Sequence, residues 1–138
     1  MILPADPVIF HGALQVLQAQ FHRVGIAGER AWSELSRLDA GGWHSRGFAG
    51  EPIPSLDAIA RFVLRNGHAL NIEIKPTPGL ERETGRAVAL AVQQLWQGQA
   101  MQPLLSSFEP DALAAARDAV PALPRALLLE SLPAGWFE

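Results

Sequence analysis

Apolar positions along this chain follow two spacings in turn. From Ser55 onward, stretches with an i, i+3, i+4 apolar stripe alternate with short apolar or period-two runs, the signature of helices alternating with strands. Ser55 can cap a helix running to Asn66, with Gly67 just past its end. Leu56, Ile59, Ala60 and Val63 give that helix one apolar stripe. A strand over Ala69–Ile74 follows, then a helix over Glu83–Gln97 with Val88, Ala91, Val92 and Leu95 on one face, stopped by Gly98. Leu104–Ser106 reads as a short strand. Pro110 and Asp111 open a third helix to about Val120, and Ala126–Leu129 reads as a further apolar strand. Earlier in the chain the pattern is thinner. Pro7–Phe10 is a short apolar run that predicts a buried strand ending at His11, and residues 12–30 carry no clear pattern. Trp32–Leu38 suits a short helix, and Trp43–Pro54 a loop rich in glycine and proline.

Four strands separated by helices of 10–15 residues imply βαβ units and a parallel sheet, an α/β fold. The strands are short and at least one carries polar residues on one face. That favours part of a (β/α)8 TIM barrel over a doubly wound sheet, whose central strands are apolar on both faces. With 138 residues the chain is one domain, 1–138, and short for a complete barrel of about 250 residues.

The candidate chemistry sits in Asn71-Ile72-Glu73-Ile74-Lys75. Period two puts Ile72 and Ile74 on one face and Asn71, Glu73 and Lys75 on the other. An acid and a cation facing the same way are out of place in a packed core. They suit a site that takes a hard cation such as Mg²⁺ or Ca²⁺ on the carboxylate and a phosphate on the ammonium. The plainer alternative is an i, i+2 ion pair on an exposed edge strand, which the flanking apolar runs disfavour. Pro76 ends the strand, so Glu73 and Lys75 lie at its carboxyl end, where parallel α/β folds bind ligands. His11 ends its own strand and could reach the same mouth as a general acid or base. A structural hydrogen bond is the commoner fate of a lone histidine. His22, His44 and His68 read as surface residues, and Trp43, Phe48 and Trp96 as packing or loop anchors. Glu81, Arg82, Glu83 and Arg86 look like a solvated helix start. Ser106 and Ser107 could line the mouth, with no base nearby to make either a nucleophile.

Charge and composition narrow the class. A net charge of −3 argues against nucleic acid as a partner. No cysteine is present, which removes disulfides and thiolate metal sites. No apolar run approaches the length of a membrane span, and the N-terminus carries no signal-peptide pattern, so a cytoplasmic location is the expectation.

Beyond these readings, the loop Leu38-Asp39-Ala40-Gly41-Gly42-Trp43, its continuation Phe48–Leu56, the strand Asn71–Pro76 and Leu105-Ser106-Ser107-Phe108 together resemble the bacterial glycerophosphodiester phosphodiesterases. The resemblance is close over residues 24–138 and looser at the strand ending in His11. It implies a (β/α)8 barrel that hydrolyses glycerophosphodiesters to glycerol 3-phosphate and an alcohol. It also implies one divalent cation held by three carboxylates, with two histidines as acid and base. By resemblance, Glu73 is a metal ligand, Lys75 contacts the substrate phosphate and His11 matches the second catalytic histidine.

The chain departs from that family as well. The family opens with a strand bearing a His-Arg-Gly motif and then one bearing Glu-Leu-Asp, and neither occurs here. The match corresponds to barrel strands three to six with their helices. The family usually has an aspartate after the histidine, where this chain has Gly12, and the stretch to Arg23 keeps no family pattern. A misplaced start or compensating frameshifts would leave such a trace. The expectation is therefore a partial domain whose 138 residues alone have little or no activity. Two other readings follow: a non-catalytic remnant that assembles into a homo-oligomer through open strand edges, and a different metal-dependent phosphodiesterase or phospholipase barrel. The Leu38–Trp43 and Glu51–Leu56 matches weigh against the last.

Overall fold

A computed structural model describes residues 30–131. The strand expected at Pro7–Phe10, along with His11 and His22, lies outside the described residues. The chain divides into two compact units, residues 1–68 and 69–138.

Within the first unit, α1 is a single turn, Trp32–Leu35, with Leu35 buried. It is shorter than the Trp32–Leu38 stretch that the sequence suggested, because no side chain caps its start and the chain turns into a loop at Ser36. That loop is closed at its base by an antiparallel bridge between Asp39 and Pro52, with the Ala40 N–H donating to the Glu51 carbonyl at 2.7 Å. A 3₁₀ turn at Arg46–Phe48 interrupts it.

Helix α2, Leu56–Asn66, starts and stops where its caps dictate. The Ser55 hydroxyl accepts from the Ala58 N–H at 3.1 Å, satisfying one of the donors that a helix start leaves open. Gly67 takes the left-handed conformation at φ 67°, which only glycine adopts without strain. Leu56, Ala60 and Val63 are buried, as the stripe predicted, and Ile59 is half-buried.

The second unit is the βαβαβ part. Strands β1 (Asn71–Glu73), β2 (Leu104–Ser107) and β3 (Arg125–Leu127) form a parallel sheet in the order β1-β2-β3. The crossovers run through α3, Glu81–Leu95, and α4, Pro110–Ala119. The first strand is shorter than its sequence reading, the second runs one residue longer, and the third is shifted. The last begins one residue early, and its expected apolar end is largely open, with Leu127 50% and Leu129 42% exposed. The early start has a local cause. The Arg125 guanidinium folds back onto the Pro121 carbonyl at 3.2 Å and pins the turn that leads into β3.

Helix α3 begins two residues before the expected Glu83. The Glu81 carboxylate takes the Gly79 N–H at 2.8 Å and so organises the first turn, although its cap residue Leu80 contributes no side-chain bond. Arg82, Glu83 and Arg86 are exposed, in keeping with a solvated start.

One face of the sheet and the facing stripes of the two helices make the core. Ile72, Ile74 and Leu105 are buried on that face. Val88, Ala89, Val92 and Trp96 are buried on the α3 side, and Ala112, Ala115 and Ala116 on α4. Small residues let α3 and α4 approach closely. A Cβ at Gly85 would lie 2.0 Å from the Ala112 carbonyl oxygen.

Candidate functional site

Strand alternation decides which side chains can act together. In β1, Ile72 and Ile74 are buried in the core face, while Asn71 and Lys75 are exposed and Glu73 is half-buried. Within the strand the separation of an apolar from a polar face is as the sequence predicted, with Glu73 on the side away from Ile72, and Lys75 exposed just past the strand's end. Paired residues in a parallel ladder share a face. Glu73 pairs with Ser106, and Ser106 with Ala126, so these three form one row. Lys75 stands beyond that row, at the carboxyl end.

Ser106 and Ser107 lie within β2 and so point to opposite faces, which corrects the reading that both could line one mouth. Ser106 shares the Glu73 face. It is 1% exposed, and its Oγ has no hydrogen-bond partner among the described residues. Ser107 belongs to the core face and is fully satisfied. Its hydroxyl donates to the Ile74 carbonyl at 2.6 Å and accepts from the Glu109 N–H at 3.0 Å. That pair of bonds ties the end of β1, between Glu73 and Lys75, to the end of β2 and the start of α4. Sequence reasoning missed this role; the signal was available in the alternation rule, which forbids two adjacent serines from serving one face.

The loop Asp39–Pro52 is braced by its aspartate. Asp39 Oδ1 accepts from the N–H groups of Gly41 at 2.9 Å and Gly42 at 2.8 Å. Backbone donation from Gly42, Gly41 and Gly50 holds the Asp39 carboxyl below its usual range. Gly41 does not tolerate a side chain, since a Cβ there would sit 2.0 Å from the Phe48 carbonyl oxygen, and a Cβ at Gly42, 2.4 Å from Asp39 Oδ2, would displace the bracing carboxylate. The Trp43 indole N–H donates to the Ala40 carbonyl at 2.8 Å, and His44 packs edge-on against both Trp43 and Phe48. Trp43 and Phe48 therefore anchor the loop while remaining largely exposed. His68 is exposed beside Phe62, just past the end of α2.

The described residues do not by themselves make a cation site. Among them, no three histidine, cysteine, aspartate or glutamate side chains gather around one point. Mg²⁺ or Ca²⁺ takes six or more oxygen ligands, and Glu73 is one carboxylate.

A family model described as the glycerophosphoryl diester phosphodiesterase family matches residues 5–134, nearly the whole chain. The chain belongs to this family. The glycerophosphoryl diester phosphodiesterase fold accounts for the sheet: the three parallel strands and their crossover helices are part of a (β/α)8 barrel. A solved phosphodiesterase from Oleispira antarctica, in complex with the product sn-glycerol-3-phosphate, superposes with a TM-score of 0.74 at 34% identity. That likeness covers 81% of this chain and 45% of the Oleispira protein. YhdW of Bacillus subtilis (strain 168), provisionally named a glycerophosphodiester phosphodiesterase, is 31% identical over 111 residues, which is 75% of this chain and 41% of YhdW. The chain thus spans less than half the length of these two relatives.

Proposed function

We propose that this chain is part of an enzyme that hydrolyses glycerophosphodiesters to glycerol 3-phosphate and an alcohol. The observation that carries the proposal is the polar row at the strand ends. Glu73 stands in β1 in register with Ser106, and Lys75 follows two residues on, exposed just past the end of the strand, in a chain of this family. Lys75 is assigned to the substrate phosphate, where a flexible ammonium can follow a tetrahedral anion. Glu73 is assigned as one carboxylate of a divalent-cation site. His11, outside the described residues, is assigned as the acid–base residue. The described residues supply too few oxygens to hold Mg²⁺ or Ca²⁺, and no step is derived through the cation.

The proposal extends to a cytoplasmic location and a role in lipid or glycerol metabolism. Among the described residues, no helix is long and apolar enough to cross a membrane.

Incubating the 138-residue chain with glycerophosphocholine and Mg²⁺ or Ca²⁺ tests the ligand count. The expected turnover is nil or near nil. Turnover that Glu73→Ala abolishes would show that these residues complete the cation site by themselves.

A second reading, self-association, draws on the sheet itself. Both β1 and β3 have a partner on one side only within the described sheet, and edges of that kind pair with other chains. Sedimentation decides it. A homo-oligomer supports pairing through these edges, and a folded monomer removes it.

A further inference from the structure

Two serines side by side in β2 are equally buried and differently treated. Ser107 makes two hydrogen bonds through one hydroxyl. Ser106, 1% exposed, makes none among the described residues. A buried hydroxyl without a partner has given up its bonds to water and received nothing in return, and proteins seldom leave one so. The register places this hydroxyl on the face of Glu73, directly across the ladder from it and one row inside Lys75. A polar face at the carboxyl ends of parallel strands is where ligands seat in this class of fold.

We propose that Ser106 is a substrate-binding residue whose hydroxyl donates to an oxygen of the glycerol phosphate moiety. The inference rests on the glycerophosphodiester reading above and adds a residue to it. No nucleophilic role follows, because the described residues of the second unit include no histidine. A serine hydroxyl can donate to a phosphate oxygen or to a glycerol hydroxyl, and both lie within the one moiety.

The test titrates the full chain and its Ser106→Ala variant with sn-glycerol 3-phosphate, and separately with inorganic phosphate, following backbone amide shifts. Urea unfolding of both proteins runs alongside. The expected result is a variant at least as resistant to urea as the parent, because an unsatisfied hydroxyl has been removed. Its affinity for sn-glycerol 3-phosphate falls about tenfold, the weight of one hydrogen bond to a charged acceptor. An equal loss for both probes places the hydroxyl on the phosphate, and a loss for sn-glycerol 3-phosphate alone places it on the glycerol; either supports the proposal. Parent-like binding by Ser106→Ala overturns it. So does a marked drop in urea resistance, which would reveal a structural partner for the hydroxyl. Lys75→Ala separates this failure from that of the functional reading. If it binds like the parent while Ser106→Ala is weakened, the phosphate role of Lys75 falls and that of Ser106 stands. A parent chain that binds neither probe sinks both.

Discussion

Replacing Gly85 with alanine in α3 should destabilise the chain, against the usual direction for glycine in a helix. Alanine is favoured over glycine by about 1 kcal/mol in a helix interior. At Gly85 that gain meets a backbone obstacle. The added Cβ would stand 2.0 Å from the Ala112 carbonyl oxygen, 2.7 Å from its carbon and 2.9 Å from the Ala112 Cα. Ordinary contact begins near 3.4 Å, so the helices would have to part by about 1.4 Å along that direction. The nearest atoms belong to the backbone, so no rotamer change relieves the clash and Ala112→Gly does not rescue it. Overpacking of this kind costs about 1–3 kcal/mol, and more where backbone must move. The net expectation is a loss of about 0–2 kcal/mol after the helix-propensity gain is set against it, toward the upper end because the backbone must move. Urea unfolding reads it as a lower midpoint at unchanged slope. Gln93→Ala, on the exposed side of the same helix, serves as the control and should stay within about 0.5 kcal/mol. A Gly85→Ala protein more stable than the parent by about 1 kcal/mol would refute the close helix approach.

Ser107→Ala leaves both the Ile74 carbonyl and the Glu109 N–H without the bonds recorded here, and should cost about 1–3 kcal/mol in urea unfolding. An unchanged midpoint would mean that the tie between the ends of β1 and β2 does not form. The Asp39 carboxyl titrates below its usual range in the folded loop, so its contribution is present above the unfolded value of 3.8 and is lost as pH falls through the lower folded value. Acid titration of Trp43 fluorescence should therefore show the loop releasing only below about pH 4. That step should vanish in Asp39→Ala; its persistence there would assign it to another carboxylate.

Locally determined features were the most legible in the sequence. Ser55 and Gly67 bound α2 because each acts on its nearest backbone groups, and no distant residue is needed to read them. The two faces of β1 followed from period two alone. The start of α3 was missed because Glu81 organises the turn from inside the helix, by a bond to Gly79 that no standard capping pattern announces. The exposure of Leu127 and Leu129 was not legible, because an apolar run says nothing of which side a sheet leaves open. The cation site proposed at Glu73 is of another kind, since one strand can show a carboxylate without showing what would complete the set. The functional contrast between Ser106 and Ser107 needed the register, which sequence alone did not supply.

The central claim is that glycerol phosphate is bound at the polar strand ends. Amide shift mapping of the full chain with sn-glycerol 3-phosphate tests it most directly. The account predicts that the largest shifts fall on Glu73, Lys75 and Ser106 and disappear with Lys75→Ala. Shifts centred instead on the exposed arginines Arg46, Arg82, Arg86 and Arg117, unaffected by that substitution, would contradict it.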